Sequence, residues 1–195
     1  MANLFQKLEL EAFRAGITPR TRESMAWFRK KAGAMTSVNS KKIMNSEPIE
    51  LRNRQVIGSM FMYYYDPKTK DTLPYYDRFP LSIIVSKAPG GFYGLNLHYL
   101  QPTLRAKFLD GLMDITNNRA FDETTKFQAR YNMLQKTSKL RFYKPCFKHY
   151  LSNQVRSRFA YVPPPEWEIA TFLPTAQFEK ASQSAVYKDS RKMTQ

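Results

Sequence analysis

The chain of 195 residues has a single cysteine, Cys146. No disulfide can form within it, and a reducing compartment fits. Only two histidines are present, and no Walker loop, dinucleotide fingerprint or nucleophile elbow occurs. Without an assembled triad or a phosphate cradle, an enzyme is disfavoured. No apolar run approaches the roughly 20 residues of a membrane span, and the first residues offer no apolar run long enough for a signal peptide. A soluble protein made in a cytoplasm is expected, with no internal repeat and no cofactor.

Acid is also scarce. The chain carries 31 Lys and Arg against 16 Asp and Glu, a formal net charge of +15. With a pI near 9.9 the free protein attracts polyanions: DNA, RNA, an anionic membrane surface or an acidic protein. Hydrophobic residues make up 43% and aromatics 14%, too much for a disordered chain, so a core can form. The length suits one domain, or one compact core with extensions.

The acid shortage is sharpest between Thr124 and Pro165, where no Asp or Glu occurs. The cations there are Lys126, Arg130, Lys136, Lys139, Arg141, Lys144, Lys148, Arg156 and Arg158. Interleaved aromatics such as Phe127, Tyr131, Phe142, Phe147 and Tyr150 could stack on bases or simply fill a core. Solvated faces usually mix both signs, so the unopposed cations point to an anionic partner.

Spacing divides the chain into four segments. Residues 1–55 hold two helices and a polar arm. The first helix covers 4–15 and ends at Gly16. The second opens at Thr18 and Pro19, runs to about Ala32, and carries Arg20, Arg22, Arg29, Lys30 and Lys31. Residues 35–54 lack clear periodicity and read as a linker or an arm that orders on assembly. Residues 56–100 are nearly neutral and rich in strand formers. Strands at 56–65, 81–86 and 92–97, joined by turns at 66–71 and 89–91, predict a small antiparallel sheet or a barrel of the SH3 or OB kind. Residues 101–175 read as helical, with helices at 102–115, 122–135 and 145–156 and a short one holding Trp167, Ile169 and Phe172. On a helix Lys126 and Arg130 would share a face, as would Lys144 and Lys148. Residues 176–195 read as a basic tail. The fold class is α+β: a small sheet flanked by helices, with extended basic termini.

Two further patterns carry chemistry. Asp66, Asp71 and Asp77 could be the metal-binding carboxylates of a nuclease, with Lys68 or Lys70 assisting. However, Asp-Pro and Lys-Asp pairs are ordinary turn formers, so a rigid hairpin displaying tyrosines is the structural reading. Cys146 and His149 stand in Cys-x-x-His spacing, but a zinc site needs four ligands, and a packed cysteine explains the pair better.

The segment 58–100 resembles a signature in virion proteins of T4-like tailed phages. The resemblance rests on Tyr65, Asp66, Pro67, Lys68, Thr69 and Lys70. It continues through Leu73, Pro74, Tyr75, Tyr76, Asp77, Arg78, Phe79, Pro80 and Leu81, then the run from Gly91 through Asn96, His98 and Tyr99 to Leu100. Among those proteins it is most similar to the DNA end-protector family. That resemblance implies a non-catalytic virion protein that binds and protects the ends of packaged double-stranded DNA near the portal vertex. Other virion proteins and further copies of itself would be its neighbours. The alternative is a structural neck, tail or baseplate component that binds protein rather than DNA. No catalytic residues are implied. His98 fits a buried, hydrogen-bonded histidine at a strand end.

Overall fold

The computed structural model describes residues 4–46 and 49–194. Residues 1–3, the arm residues 47 and 48, and the last tail residue, 195, lie outside the described residues. At the centre is an antiparallel sheet built from β1 (Leu51–Arg52), β2 (Met60–Met62), β4 (Leu81–Ala88), β5 (Gly91–Asn96), β6 (Phe147–Leu151) and β7 (Phe159–Val162). Its order is β1-β7-β2-β4-β5-β6, so β1 and β6 are edges. The sheet is open, and the barrel alternative is not what forms.

Alternation along the strands explains why both faces are buried. Met60, Met62, Leu81, Ile83, Val85 and Leu95 face a core shared with the helices. Phe61, Tyr63, Ile84, Phe92, Tyr150 and Phe159 face the other way and form a second, mostly aromatic cluster. A register shift between Ile84 and Ser86 lets β4 keep pairing with β5 across an irregularity. The turn between them uses Gly90 at φ +70, where a side chain would be strained. Gly91 then passes so close to β6 that a Cβ would sit 1.8 Å from the Tyr150 carbonyl oxygen.

Helices α1 (Leu4–Arg14), α4 (Pro102–Thr116), α5 (Glu123–Lys139) and α6 (Trp167–Phe172) fall where apolar spacing places them. Helix α2 (Arg22–Gly33) starts later than expected. Thr21, not Thr18, is its N-cap, in a reciprocal capping box with Ser24. Arg20 therefore lies outside the helix, at φ 59.

Other expectations are corrected. The helix expected over 145–156 is a short 3-10 turn at Arg141–Cys146 followed by β6. Phe147 and Tyr150 suit a pleated edge, and pairing with β5 outweighs the helical spacing of the lysines. Lys144 and Lys148 therefore share no helical face. The segment 101–175 thus supplies two of the six strands. The arm expected to order on assembly is folded within the chain: α3 (Ser40–Met44), capped by Asn39, buries Ile43 and Met44, and β1 pairs with β7. The expected basic tail folds as β8 (Phe178–Glu179) and α7 (Gln183–Lys192). β8 pairs with β3 (Tyr76–Asp77), so the motif is stitched to a distant segment and is not a free hairpin.

Candidate nucleic-acid interface

The motif residues build a buried polar network that ties the sheet to the C-terminal segment. Asp77 is 3% exposed, and its Oδ2 lies 2.6 Å from His98 Nδ1. The same oxygen accepts from Asn96 Nδ2 at 3.0 Å, and Oδ1 accepts from the N–H groups of Phe79 and Gln177 at 3.0 and 3.1 Å. Burial alone would push this carboxyl up. The charge and hydrogen bond of His98, with those of Asn96 and Phe79, outweigh burial and hold it below the ordinary range. His98 Nε2 lies 3.0 Å from Thr175 Oγ1, and Asn96 Nδ2 also donates to the Tyr150 hydroxyl at 3.1 Å. Below this network Arg105 donates to the carbonyls of His98, Leu100 and Thr171 and to the Tyr187 hydroxyl.

Asp77, His98 and Thr175 have the connectivity of a carboxylate–imidazole–hydroxyl relay. His98 and Thr175 are 0% and 1% exposed, so the hydroxyl offers no approach to a substrate. Their bonds tie β3 and the segment after β5 to the chain after α6. Of the three carboxylates considered for a nuclease, only Asp77 is buried. Asp77 is spoken for by His98, and Asp66 pairs with Lys70 at 3.1 Å and Arg156 at 3.7 Å. Asp71 is exposed in the turn. Among the described residues no three His, Cys, Asp or Glu side chains cluster to hold a metal. Cys146 is buried and donates to the Tyr143 carbonyl, while His149 turns outward to the Pro89 carbonyl.

The remaining motif residues divide between packing and surface. Phe79, Pro67, Pro80 and Tyr99 are buried, Tyr75 and Tyr76 half-buried, and Lys68 and Pro74 exposed. Among the motif tyrosines Tyr65 and Tyr99 are buried, while Tyr75 and Tyr76 stay partly open. Lys180 holds the motif turn in place. Its Nζ donates to the carbonyls of Lys70, Asp71 and Leu73 at 2.6, 2.9 and 3.1 Å.

The cations of the acid-free tract separate into two groups. Several are engaged within the protein. Lys126 pairs with Glu123, Arg156 reaches Asp66 and Gln154, and Arg158 donates to the Leu51 carbonyl. Arg130 is half-buried, and Lys148 lies 4.0 Å from the centre of the Tyr99 ring. By contrast Lys136, Lys139, Arg141 and Lys144 are exposed with no ion pair among the described residues. They surround Leu140 and Phe142, exposed by 51% and 60%, at the C-terminal end of α5. A helix C-terminus favours cations, so this corner holds its charge at little cost.

On α2, Arg29 and Lys30 are likewise exposed and unpaired among the described residues. Arg22 meets Asp110 of α4 at 3.3 Å and Lys31 meets Glu11 of α1 at 3.0 Å. Packing of α2 against α4 adds Lys107 to Arg22 and Arg29 around a cleft of about 190 Å³. Lys107, Arg105, Thr175 and Lys180 were not among the expected site residues. Thr175 meets His98 across 77 residues, Arg105 reaches Thr171 and Tyr187 across 66 and 82, and Lys180 reaches the motif turn across more than 100, so no local pattern announces these contacts.

The molecule is thus an α+β protein with a locked sheet and exposed, unpaired cations suited to phosphate oxygens. A family model described as Phage T4 terminal DNA protecting protein matches residues 3–193, and the chain belongs to that family. The family is one of phage proteins that protect DNA ends, in keeping with the resemblance seen in residues 58–100. A search of curated proteins and a search of solved structures each found no match. Among the described residues no helix is long and apolar enough to cross a membrane.

Proposed function

We propose that this protein binds the ends of linear double-stranded DNA through phosphates and shields them from exonucleases by occupying the end, without chemistry of its own. The observation that carries this reading is the corner at the end of α5. Four cations and two exposed apolar side chains stand there with no acid to neutralise them among the described residues. Arg29 and Lys30 on α2 supply a second phosphate contact. Such binding is insensitive to sequence and falls steeply with salt. The protein would be carried in the virion near the portal vertex, beside other virion proteins and further copies of itself. It would meet the host cytoplasm during synthesis and after DNA delivery.

The test is digestion of a linear duplex by an end-dependent exonuclease with and without the protein. Full-length DNA should persist, while an endonuclease should still cut the same DNA internally. Unchanged exonuclease digestion with saturating protein would overturn the proposal. In purified particles a few copies at the portal vertex are expected. Symmetric copies in a tail ring would instead favour the structural role.

A further inference from the structure

Phosphate contacts cannot by themselves tell a DNA end from its middle, because the backbone charge is the same in both places. If the protein protects ends, some other feature must recognise them. A cavity of about 320 Å³ opens between the motif turn and β6. Its walls include Tyr75, Tyr76, Tyr99 and Tyr150, with Lys68 at the turn and Lys148 on the strand.

Two side chains there keep contacts to offer a ligand. Lys148 is half-buried, stacked on Tyr99, and has no hydrogen bond or ion pair among the described residues. The one carboxylate in the wall, Asp77, is turned to His98 and Asn96. Burial pushes the Lys148 ammonium below the ordinary lysine range, so an anion beside it would relieve that strain. Tyr76 is half-buried with no ring contact among the described residues, although Tyr75 and Tyr99 pack on each other and on Phe178. Its backbone is held by β3–β8 pairing, which fixes where the side chain leaves the strand.

The geometry points to a seat for the unpaired terminal nucleotide of a DNA chain, its base on Tyr76 and its phosphate between Lys148 and Lys68. The cavity lies at the small end of the range for ligand sites, with room for one nucleotide but not for a base pair. A base at a terminus has one stacking neighbour to give up, and a ring in the protein replaces it. An interior base has two such neighbours and must be extruded from the helix. The seat therefore selects ends, while the α5 corner supplies general grip. This inference rests on the end-protection reading and adds the element that makes it end-specific.

The experiment compares equilibrium binding to a short linear duplex with binding to the same duplex closed at both ends by hairpin loops. Open ends should bind at least about tenfold more tightly, and a terminal mismatch, already unpaired, more tightly still. Tyr76→Ala should weaken open-end binding about tenfold and leave closed-duplex binding unchanged, which also reports that the variant is folded. Tyr76→Phe should keep the preference, and Lys148→Met should lose it. A free deoxynucleoside monophosphate should displace the duplex only in large excess. Displacement at equal concentration would assign the seat to a free nucleotide and overturn the chain-end proposal. Wild-type preference for open ends that survives Tyr76→Ala and ignores the mismatch would overturn the seat alone. Equal binding of open and closed duplexes by the wild type would remove the end-protection reading with it.

Discussion

Replacing Lys136, Lys139, Arg141 and Lys144 together by Gln tests whether the α5 corner grips phosphates. All four side chains are exposed and unpaired among the described residues, so their removal should leave the fold intact. The cost to stability is the loss of favourable charge at the end of α5, about 0.3–1 kcal/mol per side chain at most. The effect on DNA should be much larger. Each phosphate neutralised contributes a slope of about −0.9 in log affinity against log salt, so four contacts contribute about −3.6. Between 50 and 200 mM salt that difference amounts to roughly a 150-fold change in affinity. Fluorescence anisotropy with a labelled duplex across that range measures it. The quadruple variant should bind more weakly at low salt with a slope shallower by about 3 to 4. The paired change of Arg156 and Arg158 to Gln is the control, since those side chains are held by Asp66, Gln154 and Leu51. It should alter the slope far less. A slope unchanged in the quadruple variant, or equally reduced in the control, would refute the assignment of the corner.

Three further outcomes follow from the interior. Asp77→Ala strands the His98 ring, the Asn96 amide and two backbone N–H groups in a buried site, and should destabilise by about 3–5 kcal/mol in urea titration. Because the Asp77 carboxyl is held below its ordinary range, its contribution is present above the unfolded value near 3.8 and is lost as pH falls through the lower folded value. Glu166 shows the opposite sign: burial, then the nearby Glu9, pushes its carboxyl up to about 7. Stability is therefore lost as pH rises through about 7, and Glu166→Gln should gain about 1 kcal/mol at pH 8 but little at pH 4, after discounting for its partial exposure. Gly91→Ala should destabilise by about 3 kcal/mol, because its Cβ would meet the Tyr150 carbonyl oxygen, and a lowered melting temperature reports it.

Much of the fold follows from local rules. Apolar spacing placed α1, α4, α5 and α6, and the strands at 81–88 and 91–96 were signalled by their composition and the Pro89–Gly91 turn. The errors fall where distant pairing outweighs local preference. Residues 147–151 form a strand only because β5 offers its edge, and residues 178–179 only because the motif strand does. Thr18 and Pro19 carry a sound capping signal, but Thr21 with Ser24 satisfies two backbone donors instead of one.

The candidate surface was legible in part. Unopposed charge marked the tract, but whether a cation is free depends on acids and carbonyls brought in by other segments. Glu123 is next to the tract in sequence, whereas Asp66 and Leu51 reach Arg156 and Arg158 across the sheet. His98 was legible as a buried histidine. Its partner Thr175, 77 residues away, was not.

The central claim is that DNA ends, not DNA length, define the binding site. Titration of blunt linear duplexes of increasing length, at a salt concentration where closed circles bind weakly, measures this directly. The account predicts a saturating stoichiometry fixed by the two ends and unchanged as the duplex lengthens. A stoichiometry that grows in proportion to length, with circles filling to the same density, would contradict it.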